Sequence, residues 1–194
     1  MRDCSWLLHL PDRFENVRPG NFICRSDRTN DRPCNGYNCI AWAAGKEDKW
    51  WWPIDDPCAY WPIPIDPIDP VTLEHFIKAF ETEGYSVCCD DRFEDGFEKV
   101  AIFVDRDGTP THAARLLPSG VWSSKMGKGE DIEHETLKIV EGNEYGTASQ
   151  FLKRPNPLCR KTNQQKTLFS RLRQFLKALF KTFLRTASAN HTNS

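Results

Sequence analysis

Tyr37-Asn38-Cys39-Ile40-Ala41-Trp42-Ala43-Ala44-Gly45 is the stretch from which the fold and the chemistry of this sequence can be worked out. Asn38 stands where a helix N-cap belongs, because its short side chain can accept a hydrogen bond from a first-turn N–H group. Gly45 stands just past the helix end, where a positive φ is common. The stretch therefore predicts a short helix with Cys39 in its first turn, a position that stabilises a thiolate.

A second stretch, Thr111-His112-Ala113-Ala114-Arg115, places a histidine in an apolar, strand-like run. A cysteine at a helix start and a histidine on a later strand form the minimal pair for thiolate chemistry. We predict that Cys39 is the nucleophile and that His112 takes the thiol proton and passes it to the leaving group. The backbone N–H of Cys39, with Asn35 or Asn38, is the predicted oxyanion site.

The third catalytic residue has two candidates. Pro118-Ser119-Gly120 predicts a tight hairpin after the histidine strand. The register of that hairpin places Ser124 diagonally across from His112, where its hydroxyl could orient the imidazole. Asp131 is the nearest downstream carboxylate. The sequence leaves the choice between Ser124 and Asp131 open.

The run Trp50-Trp51-Trp52-Pro53 begins a long extended loop. Trp51 and Trp52 are predicted to form a stacking surface for substrate beside the cleft, although large aromatic side chains also serve as buried packing. His75 and His134 fall on predicted helix surfaces and are expected to be solvated.

The remaining segments predict an α+β domain, with helices at the front and an antiparallel sheet behind them. Thr72 caps an amphipathic helix that ends by Gly84. The predicted strands are 86–89, 99–105, 111–117, 121–125 and 147–153, and a short helix is predicted over 131–140. We expect one domain over 1–155, a linker over 156–166, an amphipathic helix over 167–187 and a disordered tail over 188–194.

Charge separates the two ends of the chain. Positions 1–144 hold 16 basic and 27 acidic residues, whereas the remainder holds ten basic residues and no acidic one. The helix predicted over 167–187 has Leu and Phe on one face and Arg and Lys on the other, which favours the surface of an anionic membrane. Docking on the acidic domain or on a partner is the alternative. Nucleic acid is not expected, because the basic face lacks aromatic side chains for base stacking.

The cysteines and the N-terminus bear on location. No charged segment followed by an apolar run opens the chain, and no apolar run is long enough to span a bilayer. We therefore expect a cytoplasmic protein with reduced thiols, attached to membranes, if at all, through its C-terminal helix. The cysteine spacings do not match paired CxxC motifs, so neither a metal site nor a cofactor is predicted.

Several motifs in order carry a resemblance to known families. They are Asn38-Cys39-Ile40-Ala41-Trp42-Ala43, Trp50-Trp51-Trp52-Pro53, Gly96-Phe97-Glu98-Lys99-Val100-Ala101, Thr111-His112-Ala113-Ala114-Arg115 and Trp122-Ser123-Ser124-Lys125-Met126-Gly127. Over roughly 30–155 the chain resembles an uncharacterised bacterial domain family of unknown function. The order of cysteine helix and histidine strand also resembles the papain-like superfamily, in particular the NlpC-type amidases and peptidases.

The papain-like resemblance implies a helix-plus-antiparallel-sheet fold with the nucleophile at Cys39 and the base at His112. It also implies a third polar residue on the next strand, at 123–125, where the usual His, Asn or Asp is missing. The implied activity is that of a cysteine-dependent hydrolase or acyl transferase, of peptidase, amidase or deamidase type, acting on a peptide or amide-containing substrate. The alternative is a non-catalytic binding module of the same fold.

Overall fold

A computed structural model of the chain describes residues 5–9, 12–25, 36–64, 66, 70–127, 129–156 and 173. The chain divides into two compact units, Met1–Arg154 and Pro155–Ser194. Apart from Asn156 and Arg173, the predicted linker, amphipathic helix and tail over 156–194 lie outside the described residues, as does the candidate Asn35.

A seven-stranded, mostly antiparallel sheet forms the body of the first unit. Its strands, in the spatial order β1-β8-β7-β6-β5-β9-β4, are β1 (Phe22–Cys24), β8 (Asp131–His134), β7 (Trp122–Lys125), β6 (Pro110–Leu116), β5 (Phe97–Val104), β9 (Thr147–Pro155) and β4 (Ser86–Cys88). The tight hairpin predicted at Pro118-Ser119-Gly120 is confirmed: it joins β6 to β7, and Gly120 takes a φ of +83°.

Two short α-helices accompany the sheet in the described residues, α1 (Cys39–Ala43) and α2 (Leu73–Thr82). Among the described residues, Ser5–His9 and Leu137–Ile139 form 3-10 turns, and β2 (Trp50–Trp51) pairs in parallel with β3 (Ala59–Tyr60). The predicted caps are confirmed. Asn38 accepts from the N–H of Ala41, and Gly45 takes a φ of +79° beyond the helix end.

The predicted fold class is wrong. The described chain is mostly antiparallel sheet with two short helices, and not a papain-like helix-plus-sheet domain with a C-terminal helix. Part of the error lies in 131–140, where a helix was predicted. Asp131–His134 forms strand β8, because its backbone pairs with β7 on one side and β1 on the other. Its side chains alternate between the two faces of the sheet. Only the turn Leu137–Ile139 is helical there.

The central strands bury both of their faces. One face, here called the histidine face, bears His112 and Ala114 of β6 beside Phe103 of β5 and Trp122 of β7, and it packs against Tyr145. The other, the helix face, bears Ala113 and Arg115 and is covered by α1. This alternation follows from the two-residue period of a strand. It separates the chemistry of the molecule into two differently built layers.

Candidate active site

Cys39 lies where the pairing between β6 and β7 ends. The last paired residues of that ladder are Ala114 and Ser124. The backbone amide of Ala113, the residue before Ala114 on β6, lies near enough to the Cys39 thiol to lower its pKa. The sulfur therefore lies against the peptide bond that links His112 to Ala113. Cys39 belongs to the apolar cluster of the helix face, whereas the His112 side chain points to the other face of the same strand.

The Cys39 thiol is buried, with 6% of the residue exposed. Burial raises the pKa of the thiol to about 11, against the lowering effect of the N–H groups of Ala113, Ile40 and Cys39 itself and of the Lys125 charge. A short helix start does not outweigh this loss of hydration. The resting thiol is therefore protonated at neutral pH, and its pKa is raised where the place in the first turn predicted a lowered one.

The His112 imidazole is fully buried on the histidine face. Its ring stacks on Tyr145, with centroids 4.0 Å apart and planes at 13°, and meets Phe103 edge-on at 5.2 Å. Its Nε2 lies 3.1 Å from Ser124 Oγ, whereas its Nδ1 has no hydrogen-bond partner among the described residues. Burial, and next the His134 charge, lower the pKa of His112 to about 3, so the ring is neutral.

The hydrogen-bond chain continues beyond Ser124. Ser124 Oγ lies 2.9 Å from Nε2 of His134, and Nδ1 of His134 lies 2.9 Å from the carbonyl oxygen of Thr136. Burial lowers the pKa of His134 to about 4, so this ring is also neutral at pH 7. His134 is thus buried on a strand and not solvated on a helix, as the sequence was interpreted. The alternation in Asp131-Ile132-Glu133-His134 was the signal that could have indicated a strand.

Of the two candidates for a third residue, Ser124 reaches the imidazole, while Asp131 has different neighbours. Asp131 pairs with Lys125 across β7 and β8, so its side chain is on the helix face. There its Oδ2 accepts from the hydroxyl of Tyr37 at 3.0 Å. Its charge also raises the pKa of the buried Lys125, which desolvation lowers. Asp131 therefore interacts with residues of the helix face and not with His112.

Asn38 is occupied by the fold. Its Oδ1 accepts from the N–H groups of Ala41 and Trp51, and its Nδ2 donates to the Trp51 carbonyl at 2.7 Å. The side chain thus ties the start of α1 to β2. An amide with these three bonds has little left for an oxyanion, and the N–H groups near the sulfur are the better donors.

The predicted stacking surface is mostly interior. Trp51 is 2% exposed and packs against Tyr60 and Trp61. Trp52 is half-buried and meets Phe76 edge-on at 5.6 Å. These tryptophans form the packing between the loop and α2. Any stacking on a ligand would fall to Trp52.

The other thiols and possible ligands differ in part from expectation. Cys24 and Cys58 each take part in a disulfide bond, whereas the sequence predicted that all the thiols are reduced. Cys39, Cys88 and Cys89 are free. In the described ranges, no cluster of three or more His, Cys, Asp or Glu side chains is arranged to hold a metal ion. None of the helices described there is long and apolar enough to cross a membrane.

Comparison with known proteins gives a family and no activity. Residues 27–153 match the family described as Domain of unknown function (DUF7689). No curated protein and no solved structure matches the chain. None of these comparisons supports the resemblance to the papain-like superfamily. The family match covers more than half of the chain, so the chain belongs to the DUF7689 family.

Proposed function

We propose that this member of the DUF7689 family is a cysteine-dependent hydrolase or acyl transferase, with Cys39 as nucleophile and His112 as general base. The observation that supports this most is the environment of His112. Its ring is buried, clamped by Tyr145 and held at Nε2 by Ser124, while Nδ1 has no partner in the described part of the chain. The proposal requires this acceptor nitrogen to come within hydrogen-bond reach of the Cys39 thiol, which lies on the helix face of the same strand, when substrate binds.

The resting pair is neutral on both sides, because burial disfavours both the thiolate and the imidazolium. The proton therefore moves from Cys39 to His112 as the sulfur attacks the acyl carbon, and not before substrate arrives. His112 then gives that proton to the leaving amine or alkoxide, and a thioester forms on Cys39. Water, or another acceptor, cleaves the thioester and restores the thiol.

Backbone N–H groups are the proposed donors to the oxyanion. The amides of Cys39 and Ile40, at the start of α1, and that of Ala113 on β6 lie near the sulfur, where they lower the pKa of the thiol. Donors that are already held in place need no reorganisation when negative charge develops on the carbonyl oxygen of the acyl carbon that the sulfur attacks. The proposed substrate class is a peptide or another amide-containing acyl compound.

The proposal can be tested with an activated ester that needs no specific binding. On incubation with p-nitrophenyl acetate, the protein should release p-nitrophenolate in a burst and carry an acetyl group on Cys39, located by peptide mass mapping. The variant His112→Gln should lower the rate of Cys39 acetylation by about 100-fold or more, the usual scale of general-base catalysis. The exposed thiol of Cys89 is an internal control whose labelling should not change. Acetylation confined to Cys89, or a Cys39 rate unaffected by His112→Gln, would contradict the proposal.

The second candidate is a non-catalytic binding module, and the burial of Cys39 favours it. A thiol that is 6% exposed, with a pKa raised to about 11, is typical of an inert core cysteine. In that case Cys39→Ala would keep both the fold and any ligand binding, and no acyl group would be trapped on the wild-type residue. The role of the segment 167–187 at a membrane stays a prediction beside either candidate.

A further inference from the structure

We infer that His134, acting through Ser124, is a positioning residue that holds His112 in the tautomer with a hydrogen on Nε2 and a bare Nδ1. The catalytic meaning of this inference rests on the proposed function, but the tautomer itself does not. His134 is not among the candidates from the sequence, and its hydrogen-bond partners are Ser124 and the Thr136 carbonyl. Its effect is transmitted along hydrogen bonds.

The direction of the chain is set at its outer end. The carbonyl oxygen of Thr136 can only accept, so Nδ1 of His134, 2.9 Å away, must carry a hydrogen and donate it. His134 is 2% exposed and neutral at pH 7. A neutral imidazole has one hydrogen for two nitrogens. Nε2 of His134 is therefore a lone pair and an acceptor.

The same logic passes through the serine to His112. Ser124 is 2.9 Å from the acceptor Nε2 of His134, so its hydroxyl hydrogen points there. Its oxygen is then left to accept, and the group 3.1 Å away on its other side is Nε2 of His112. That nitrogen must donate. Since the His112 ring is also neutral, its one hydrogen is used, and Nδ1 is a bare lone pair.

The opposite direction is unfavourable for a physical reason. If His112 carried its hydrogen on Nδ1, Nε2 would face Ser124 as an acceptor, and the serine hydrogen could satisfy only one of the two histidines. One buried nitrogen lone pair would then lie against an oxygen lone pair, and a buried acceptor would be left without a donor. The ring nitrogen that could take a thiol proton is thus set from the far end of the chain.

Nitrogen-15 NMR of the full chain tests this directly, because protonated and bare imidazole nitrogens have well-separated shifts. In the wild type at pH 7, His112 should show a hydrogen on Nε2 and none on Nδ1. In His134→Gln the amide oxygen falls near the former Nε2 and still accepts from Ser124, so His112 should keep this tautomer. In His134→Asn the amide falls near the former Nδ1, the acceptor for Ser124 is lost, and His112 should populate the Nδ1–H form.

Ser124→Ala should act like His134→Asn, while the matched control Ser123→Ala, on the helix face, should leave the His112 signals unchanged. A wild-type His112 with its hydrogen on Nδ1 would overturn the inference, whether or not the variants fold. So would an unchanged tautomer in folded His134→Asn. The outcome is independent of acyl transfer. The predicted tautomer together with an inert Cys39 would reject the proposed function alone, and acetylation of Cys39 with the other tautomer would reject the inference alone.

Discussion

The two faces of the central sheet bury polar groups of different kinds. The helix face buries charges: Lys125 is 0% exposed, Asp131 lies across from it, and the Arg115 guanidinium sits 3.6 Å over the ring of Trp42. The histidine face buries neutral groups only in its polar chain, the two imidazoles and the hydroxyl of Ser124. The first layer holds the helix that carries the thiol. The second holds the base.

The difference has an energetic consequence. Removing a charge that compensates another buried charge is a larger loss than leaving a neutral hydrogen bond unmade. The helix face should therefore be the more fragile layer at constant pH. The histidine face should be the layer that responds to acid, because its groups are neutral only while they stay unprotonated. Three comparisons test these expectations.

The largest effect is expected on the helix face. Asp131→Ala removes the carboxylate that accepts from Tyr37 and whose charge raises the pKa of Lys125, and it should lower the free energy of unfolding by about 3 kcal/mol. Asp131→Asn keeps an acceptor for Tyr37 but loses the charge, so it should give most of this loss. Urea denaturation followed by circular dichroism measures both. A loss below about 1 kcal/mol in Asp131→Ala would show that the charges of this layer are not coupled to the fold.

The next effect is the response of the histidine face to acid. The folded-state pKa values of His112 and His134, about 3 and about 4, lie below the unfolded-state value of 6.5. Below pH 6.5 the unfolded chain therefore binds protons that the folded chain does not. Each histidine should therefore lower the free energy of unfolding by up to about 1.4 kcal/mol per pH unit as the pH falls toward 4.

Because carboxylates also titrate in this range, the measurement is a comparison. Below pH 6.5, the free energy of unfolding should fall less steeply with decreasing pH in His134→Gln than in the wild type. The difference in slope should be about the contribution of one histidine, up to about 1.4 kcal/mol per pH unit. The control Ser123→Ala removes no titratable group and should keep the wild-type slope. Equal slopes in His134→Gln and the wild type would mean that His134 is not held neutral by burial.

The smallest effects compare two adjacent serines that point to opposite faces. Ser124→Ala leaves two buried imidazole nitrogens without their partner and should cost about 1–3 kcal/mol. Ser123→Ala removes only the acceptor of the half-buried Trp42 indole, 3.2 Å away, and should cost about 1 kcal/mol or less. Thermal or urea unfolding of the two variants gives the order. The reverse order would show that the polar chain of the histidine face contributes little to the fold.

Local sequence chemistry predicted the parts of this structure that depend on neighbouring residues. The Asn38 cap, the Gly45 helix end, the Thr72 cap and the β6–β7 hairpin are local, and all are confirmed. The hairpin register also brought Ser124 to His112, because a strand pairing fixes which side chains meet. These features need no knowledge of the rest of the fold.

The missed features depend on partners distant in the sequence. The segment with His134 was interpreted as helix, and only pairing with β7 and β1 makes it a strand. The fold class was wrong for the same reason, since a sheet edge is set by strands more than 100 residues apart, as in the pairing of Phe22 with His134. Asn38, whose side chain binds Trp51, looked like a donor for substrate because that tertiary bond is not visible in the sequence.

The most direct test of the Cys39–His112 pair is the alkylation of Cys39 by iodoacetamide at pH 7, followed residue by residue with mass spectrometry. If His112 takes the thiol proton, His112→Gln should slow the labelling of Cys39 by about tenfold or more, while the exposed Cys89 is labelled at the same rate in both proteins. Comparing each thiol with itself removes the effect of burial on access. A Cys39 rate that is the same with and without His112 would contradict the account.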